Sequence, residues 1–181
     1  MILAERRSVI SRRVLLGGFA ATVSLAVCGM ASAGTTRLLT LVRRTTGEVG
    51  RRVPFWRDGA PDQHGLSELN WLMRDVRVGQ VRPIDLRVYF LLAVLQSEVS
   101  GRPIIVMSGY RTKATNELLR QQGFEAARNS FHLRGCAADV NVGGVSPARV
   151  AVLGSLLGLG GVGLYRNFVH LDTGPRRFWT G

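Results

Sequence analysis

The chain has 181 residues, of which 24 are Lys or Arg and 12 are Asp or Glu, for a formal net charge of +12. With 46% hydrophobic residues it carries enough apolar side chain for a sizeable core, which excludes a disordered polycation. The charge favours an anionic partner, and two cysteines exclude a disulfide-stapled scaffold.

The first 33 residues read as an export signal. Arg6, Arg7, Arg12 and Arg13 precede an apolar run over residues 14–30, and Ala31-Ser32-Ala33 supplies the small-x-small pattern of a cleavage site. The Arg12-Arg13 pair directly before the apolar run resembles a twin-arginine signal. An uncleaved membrane anchor is the alternative, because the run approaches the lower length limit for a bilayer span. A lipid-modified Cys28 is disfavoured, since Val27 stands where a small residue is needed. Removing this segment takes away Glu5 and the four arginines, and leaves 148 residues with a net charge of +9.

An exported protein, periplasmic or beyond, rarely meets nucleic acid, and no nucleic-acid motif is present. Peptidoglycan peptides, with their free carboxylates, are the better anionic partner. No membrane insertion is expected once the signal is gone, and the mature protein is expected to be a monomer. Cys136, between Gly135 and Ala137, reads as a small buried residue without a disulfide partner.

Residues 34–62, rich in Arg, Thr and Gly, read as a linker with a short β entry over 52–56. The folded domain is expected over 63–181. Leu69, Leu72, Met73 and Val76 recur at helical spacing, with Ser67 as N-cap and Gly79 as the stop. Pro83 opens a second helix reaching Val99, with Leu86, Tyr89, Phe90, Ala93 and Val94 on its apolar side. Pro103-Ile104-Ile105-Val106-Met107 reads as a buried strand, and Ser108-Gly109-Tyr110-Arg111-Thr112 turns out of it. A helix follows over 113–122, then a loop through Ser130 and His132, a strand over 137–142 and a helix over 147–157. Gly160-Gly161-Val162-Gly163 leads into short strands over 162–165 and 168–172. The expected fold class is α+β, with helices packed on a small, mainly antiparallel sheet. The Phe55-Trp56 and Phe178-Trp179 pairs read as core packing, with the lining of a cleft as the alternative.

Two of the three histidines stand near carboxylates. His132 precedes Asp139 by seven residues, with Gly135 permitting the bend between them. In the last strand His170 and Asp172 share a face. His132, Asp139 and His170 form a set of three protein ligands of the kind a catalytic zinc takes, leaving a position for water. Asp172 is then a candidate general base, and Arg111 a candidate donor to a carbonyl oxygen developing negative charge. Two satisfied histidines and two structural carboxylates are the alternative. His64 reads as a surface or capping residue.

In order along the chain stand S-G-Y-R-T at Ser108, Asn116, S-x-H-x-x-G-x-A-x-D from Ser130 to Asp139, G-G-V-G-x-Y from Gly160 to Tyr165, and F-V-H-x-D-T-G from Phe168 to Gly174. This series resembles the D-Ala-D-Ala zinc metallopeptidase superfamily of VanX- and VanY-type enzymes and their lysostaphin and hedgehog-like relatives. Within it the chain is most similar to the YcbK-like group of exported murein endopeptidases. The resemblance spans about residues 64–181. It implies Zn2+ on His132, Asp139 and His170, Arg111 as the carbonyl-binding arginine, and Ser108, Tyr110 and Ser130 around the substrate. It further implies a murein endopeptidase or carboxypeptidase acting on stem or cross-link peptides.

Two positions depart from the pattern. Where related enzymes place a basic carboxylate three residues before the last ligand, this chain has Asn167; where others place a histidine two before, it has Phe168. The base is therefore open, with Asp172 the choice. A non-catalytic, zinc-containing cell-wall binding protein is the competing reading. The Arg166-Asn167 segment is also short for the group, which bears on specificity.

Overall fold

A computed structural model of the chain describes residues 35–158 and 160–181. The export signal expected over residues 1–33 lies outside the described residues. Among the described residues, no helix is long and apolar enough to cross a membrane.

The described chain opens with a hairpin. Strand β1 (Arg37–Arg43) buries Leu39, Leu41 and Arg43 on alternate positions, and β2 (Val49–Arg57) buries Val53 and Phe55 in the same way. A two-residue strand, β3 (Ala60–Pro61), pairs with the end of β2. Where a linker is expected over 34–62, the described residues 35–62 contain three strands of the sheet. The expected β entry over 52–56 lies within β2.

Helix α1 (Gln63–Leu72) is capped by Asp62, whose carboxylate accepts the Gly65 amide at 3.0 Å. Ser67, expected as the cap, lies inside the helix and donates to the Gln63 carbonyl. Gly65 presses directly on the Pro54 carbonyl, where a Cβ would collide, so α1 packs close against β2. Helix α2 (Leu86–Glu98) begins at an Asp85 cap, three residues later than Pro83 suggested. Strand β4 (Ile104–Ser108), helix α3 (Lys113–Gln121), a 3-10 turn over Phe131–Arg134 and strand β5 (Ala137–Val142) follow. Helix α4 (Pro147–Leu157) starts with Pro147 behind a Ser146 cap. Strands β6 (Gly161–Leu164), β7 (Val169–Asp172) and β8 (Arg177–Thr180) complete the sheet.

The fold is α+β. Its single sheet has eight strands in the order β3-β2-β1-β4-β5-β7-β6-β8. It is mixed: the β1–β4 and β6–β8 pairs are parallel, the others antiparallel. Leu39, Leu41, Ile104, Val106, Val140, Val169 and Leu171 meet Leu69, Leu92 and Leu95 of the helices in one buried cluster. Gln96 ties α2 to the sheet: its amide group donates to the Thr40 and Arg102 carbonyls and accepts the Thr40 N–H.

The register that positions the site crosses five strands. Ser108 of β4 pairs with Asp139 of β5, Asp139 with His170 of β7, His170 with Gly163 of β6, and Gly163 with Trp179 of β8. An irregularity in β4 between Val106 and Ser108 sets the Ser108–Asp139 pairing. Gly163 leaves room for the Trp179 ring, which a Cβ there would meet.

Candidate metal centre

His132, on the 3-10 turn, is 1% exposed, and its Nδ1 lies 2.6 Å from the Gly109 carbonyl. A carbonyl only accepts, so Nδ1 carries the proton and Nε2 presents its lone pair. The turn is fixed on both sides. Ser130 caps it, its hydroxyl accepting the His132 amide, and Gly135 closes it at φ 69°, the left-handed region glycine tolerates.

Asp139 is buried on β5. Its Oδ2 pairs with the Arg111 guanidinium, which leaves Oδ1 facing the histidines. Arg111 also donates from Nε to the Ser108 hydroxyl at 2.8 Å. On β7, His170 Nε2 lies 2.9 Å from Asp172 Oδ2, so that nitrogen donates outward and Nδ1 faces the cluster.

Three donor atoms thus converge. His132 Nε2 lies 3.1 Å from Asp139 Oδ1 and 3.1 Å from His170 Nδ1, and His170 Nδ1 lies 2.9 Å from Asp139 Oδ1. Tetrahedral zinc with bonds of about 2.0–2.1 Å separates its ligands by about 3.3 Å, so the set fits with small adjustment. Three lone pairs at this distance repel unless a cation, a proton or a metal ion, sits among them.

The protonation tendencies agree. Burial, with Arg111 nearby, pushes His132 down to about 4, so it stays neutral and able to ligate at neutral pH. Burial works against the charge on Asp139, but His132, His170 and Arg111 hold it well below the usual carboxylate range. Burial also opposes charge on His170, yet its hydrogen bonds to the Asp139 and Asp172 carboxylates outweigh that and raise its pKa.

Asp172 is not placed to be a general base. It is 1% exposed and lies behind His170. Its oxygens accept the Gly161 and Gly174 amides and the Arg177 guanidinium, as well as His170. Burial raises its pKa, but these partners outweigh that and hold it at about 2. It holds the outer nitrogen of His170 and does not line the cavity.

The cluster opens into a cavity of about 920 Å3. Ser108, Tyr110, Arg111 and Ser130, all expected around the substrate, line it together with His132, Asp139 and His170. Tyr110 is 7% exposed and belongs mainly to the core. Trp179 follows the cleft alternative and not core packing: it lines the cavity with its ring 5.3 Å from that of His170, while its neighbour Phe178 is exposed. Its indole N–H donates to the Tyr165 hydroxyl, and Tyr165 stacks on Phe168. Phe55 is buried and packs edge-on to Phe90, as does Trp56. Cys136 is half-buried beside Asp85 and outside the cavity lining, contrary to its expected full burial. His64 is exposed on α1.

Sequence reasoning passed over Gly109, whose carbonyl sets the His132 tautomer, and Arg177, which neutralises Asp172. Gly109 did carry a signal. A Cβ there would run into the Met73 backbone, which explains the Ser-Gly-Tyr step after a strand.

An α+β domain in which two central strands and a 3-10 turn bring Asp139, His170 and His132 together at the floor of an open cavity has the form of a hydrolase site with a candidate metal centre. The model of one family, described as "Peptidase_M15_2: Peptidoglycan L,D-endopeptidase MepK", matches residues 31–179, and the chain belongs to this family. The match reaches back beyond the motif-bearing region to include β1, β2 and β3. A protein of Haemophilus influenzae named "Probable peptidoglycan L,D-endopeptidase MepK" is 36% identical over 174 residues, covering 92% of each chain. The Escherichia coli K12 protein named "Peptidoglycan L,D-endopeptidase MepK" is 36% identical over 146 residues, covering 79% of this chain and 80% of its own. A Shigella flexneri protein of the same name matches equally.

Proposed function

We propose that this chain is an exported, zinc-dependent peptidoglycan peptidase that hydrolyses a peptide bond between an L and a D centre in stem or cross-link peptides. The convergence of His132 Nε2, Asp139 Oδ1 and His170 Nδ1 on one point at the cavity floor carries this reading. The family membership and the names of the relatives supply the substrate class. The N-terminal segment would direct the chain to the compartment where that substrate lies.

His132, Asp139 and His170 would hold the zinc, which would supply a water of lowered pKa and a Lewis acid for the scissile carbonyl. The protein's own groups prepare that chemistry. Gly109 and Asp172 hold the two imidazoles in the ligating tautomer, and Arg111 holds Asp139 to a single ligating oxygen. From the cavity wall Arg111 also offers positive charge to a carbonyl oxygen as it becomes negative. Asp172→Asn, which keeps one acceptor oxygen but loses the charge behind His170, is expected to weaken zinc binding by roughly 10- to 100-fold. Competition against a chelator measures this; unchanged affinity would remove Asp172 from the design.

A second reading, a zinc-containing cell-wall binding protein, is favoured by one observation. Of the carboxylates lining the cavity among the described residues, Asp139 belongs to the cluster and Asp75 is engaged by Thr112 and the Arg77 amide, so the only general base left is Glu125, exposed and outside any helix or strand. One experiment separates the readings. Zinc-loaded protein is incubated with isolated peptidoglycan and the products are read by mass spectrometry. New muropeptides that vanish with chelator are expected. Bound zinc and bound peptidoglycan without new products would establish the binding protein instead.

A further inference from the structure

Arg43 ends β1 on the face that Leu39 and Leu41 devote to the core. It is 3% exposed, an unusual place for a guanidinium. Among the described residues its Nε and Nη1 have no hydrogen-bond partner. The two carboxylates whose charge reaches it are committed elsewhere. Glu48 takes Trp71 and Arg74. Asp75 takes the amide and hydroxyl of Thr112, each at 2.9 Å, and the Arg77 amide at 3.1 Å. Burial, with the positive charge of Arg74 and Arg111 nearby, pushes the Arg43 pKa down despite Asp75 and Glu48.

Buried guanidinium N–H groups without acceptors are unfavourable unless something completes them. Arg43 lines the same cavity as the ligand cluster, beside Thr45, Arg77 and Arg111. Its strand neighbours β4, which neighbours β5, so Arg43 stands two strands from Asp139. At about 4.8 Å per strand that is roughly 10 Å, the reach of about three extended residues. We propose that Arg43 forms an anion-binding subsite that receives a carboxylate of the bound stem peptide, about three residues from the scissile bond. The inference rests on the peptide-substrate reading above and adds to it the group recognised. Arg77, exposed at the cavity wall, supplies a second positive charge. A planar fork of donors suits a carboxylate better than a neutral amide.

The test uses zinc-loaded wild type, Arg43→Met and Arg43→Lys with three forms of one synthetic stem peptide whose L,D amide is replaced by a non-hydrolysable isostere. One form has all carboxylates free, one has a C-terminal carboxamide, and one has side-chain carboxamides. Binding is read by calorimetry. Wild type should bind the free acid at least tenfold more tightly than one of the amidated forms, and that form identifies which carboxylate is held. Arg43→Met should lose this preference at unchanged zinc content and similar melting temperature, and Arg43→Lys should keep part of it. A Met variant that retains the preference overturns the proposal. So does a folded Lys variant with none, which serves as the test if the Met variant does not fold. Because binding is read without turnover, a failure of hydrolysis counts against the peptidase reading alone. Intact hydrolysis with no acid preference counts against Arg43 alone.

Discussion

His132→Ala is expected to leave a folded protein that no longer holds zinc and whose release of muropeptides falls to the level seen with chelator. The argument follows from what the imidazole does. It supplies one of three converging donors, and its Nδ1–H is already used by the Gly109 carbonyl, so no other group in the turn substitutes for Nε2. Two remaining ligands make a weak site, and Asp139 Oδ1 then faces only His170. Metal content by atomic emission and product analysis by mass spectrometry measure the two losses separately. His64→Ala is the control, because that residue is exposed and does not line the cavity. A His132→Ala protein that keeps both zinc and turnover would show that the convergence is structural.

The three residues that the structure brings together were legible in the sequence. His132, Asp139 and His170 lie in segments with strong local signals. The 137–142 strand and the 147–157 helix have the expected bounds, because alternation in one and a Ser-Pro start in the other are local physics. The roles around the ligands were less accessible. His170 and Asp172 do share a face of β7, as alternation requires. Alternation says nothing of which side of an imidazole a carboxylate meets, and here it meets the side away from the cluster. Arg177, the partner that holds Asp172, sits on a strand whose pairing with β6 is parallel, a long-range fact without a local signature. The same holds for residues 34–62. Leu39 and Leu41 make a short apolar pattern among arginines, and its meaning depends on β4 arriving from some sixty positions later.

The second large effect belongs to Arg111. Arg111→Met is expected to lower kcat by roughly 10²- to 10³-fold, the range found when a donor to a developing oxyanion is removed. Zinc should stay bound in zinc-supplemented buffer, since all three ligating atoms remain. Two contributions enter this loss. The guanidinium donates to Ser108 and pairs with Asp139 Oδ2, so its removal leaves a buried carboxylate oxygen unpaired. It also withdraws positive charge from the cavity wall, where the proposed mechanism places the substrate carbonyl. Arg111→Lys divides the two, because a point charge restores the field but not the fork that reaches both partners. A Lys variant that recovers most of kcat assigns the effect to charge on the carbonyl. One that stays low and also loses zinc affinity assigns it to the hold on Asp139. A Met variant with wild-type kcat would exclude Arg111 from the reaction.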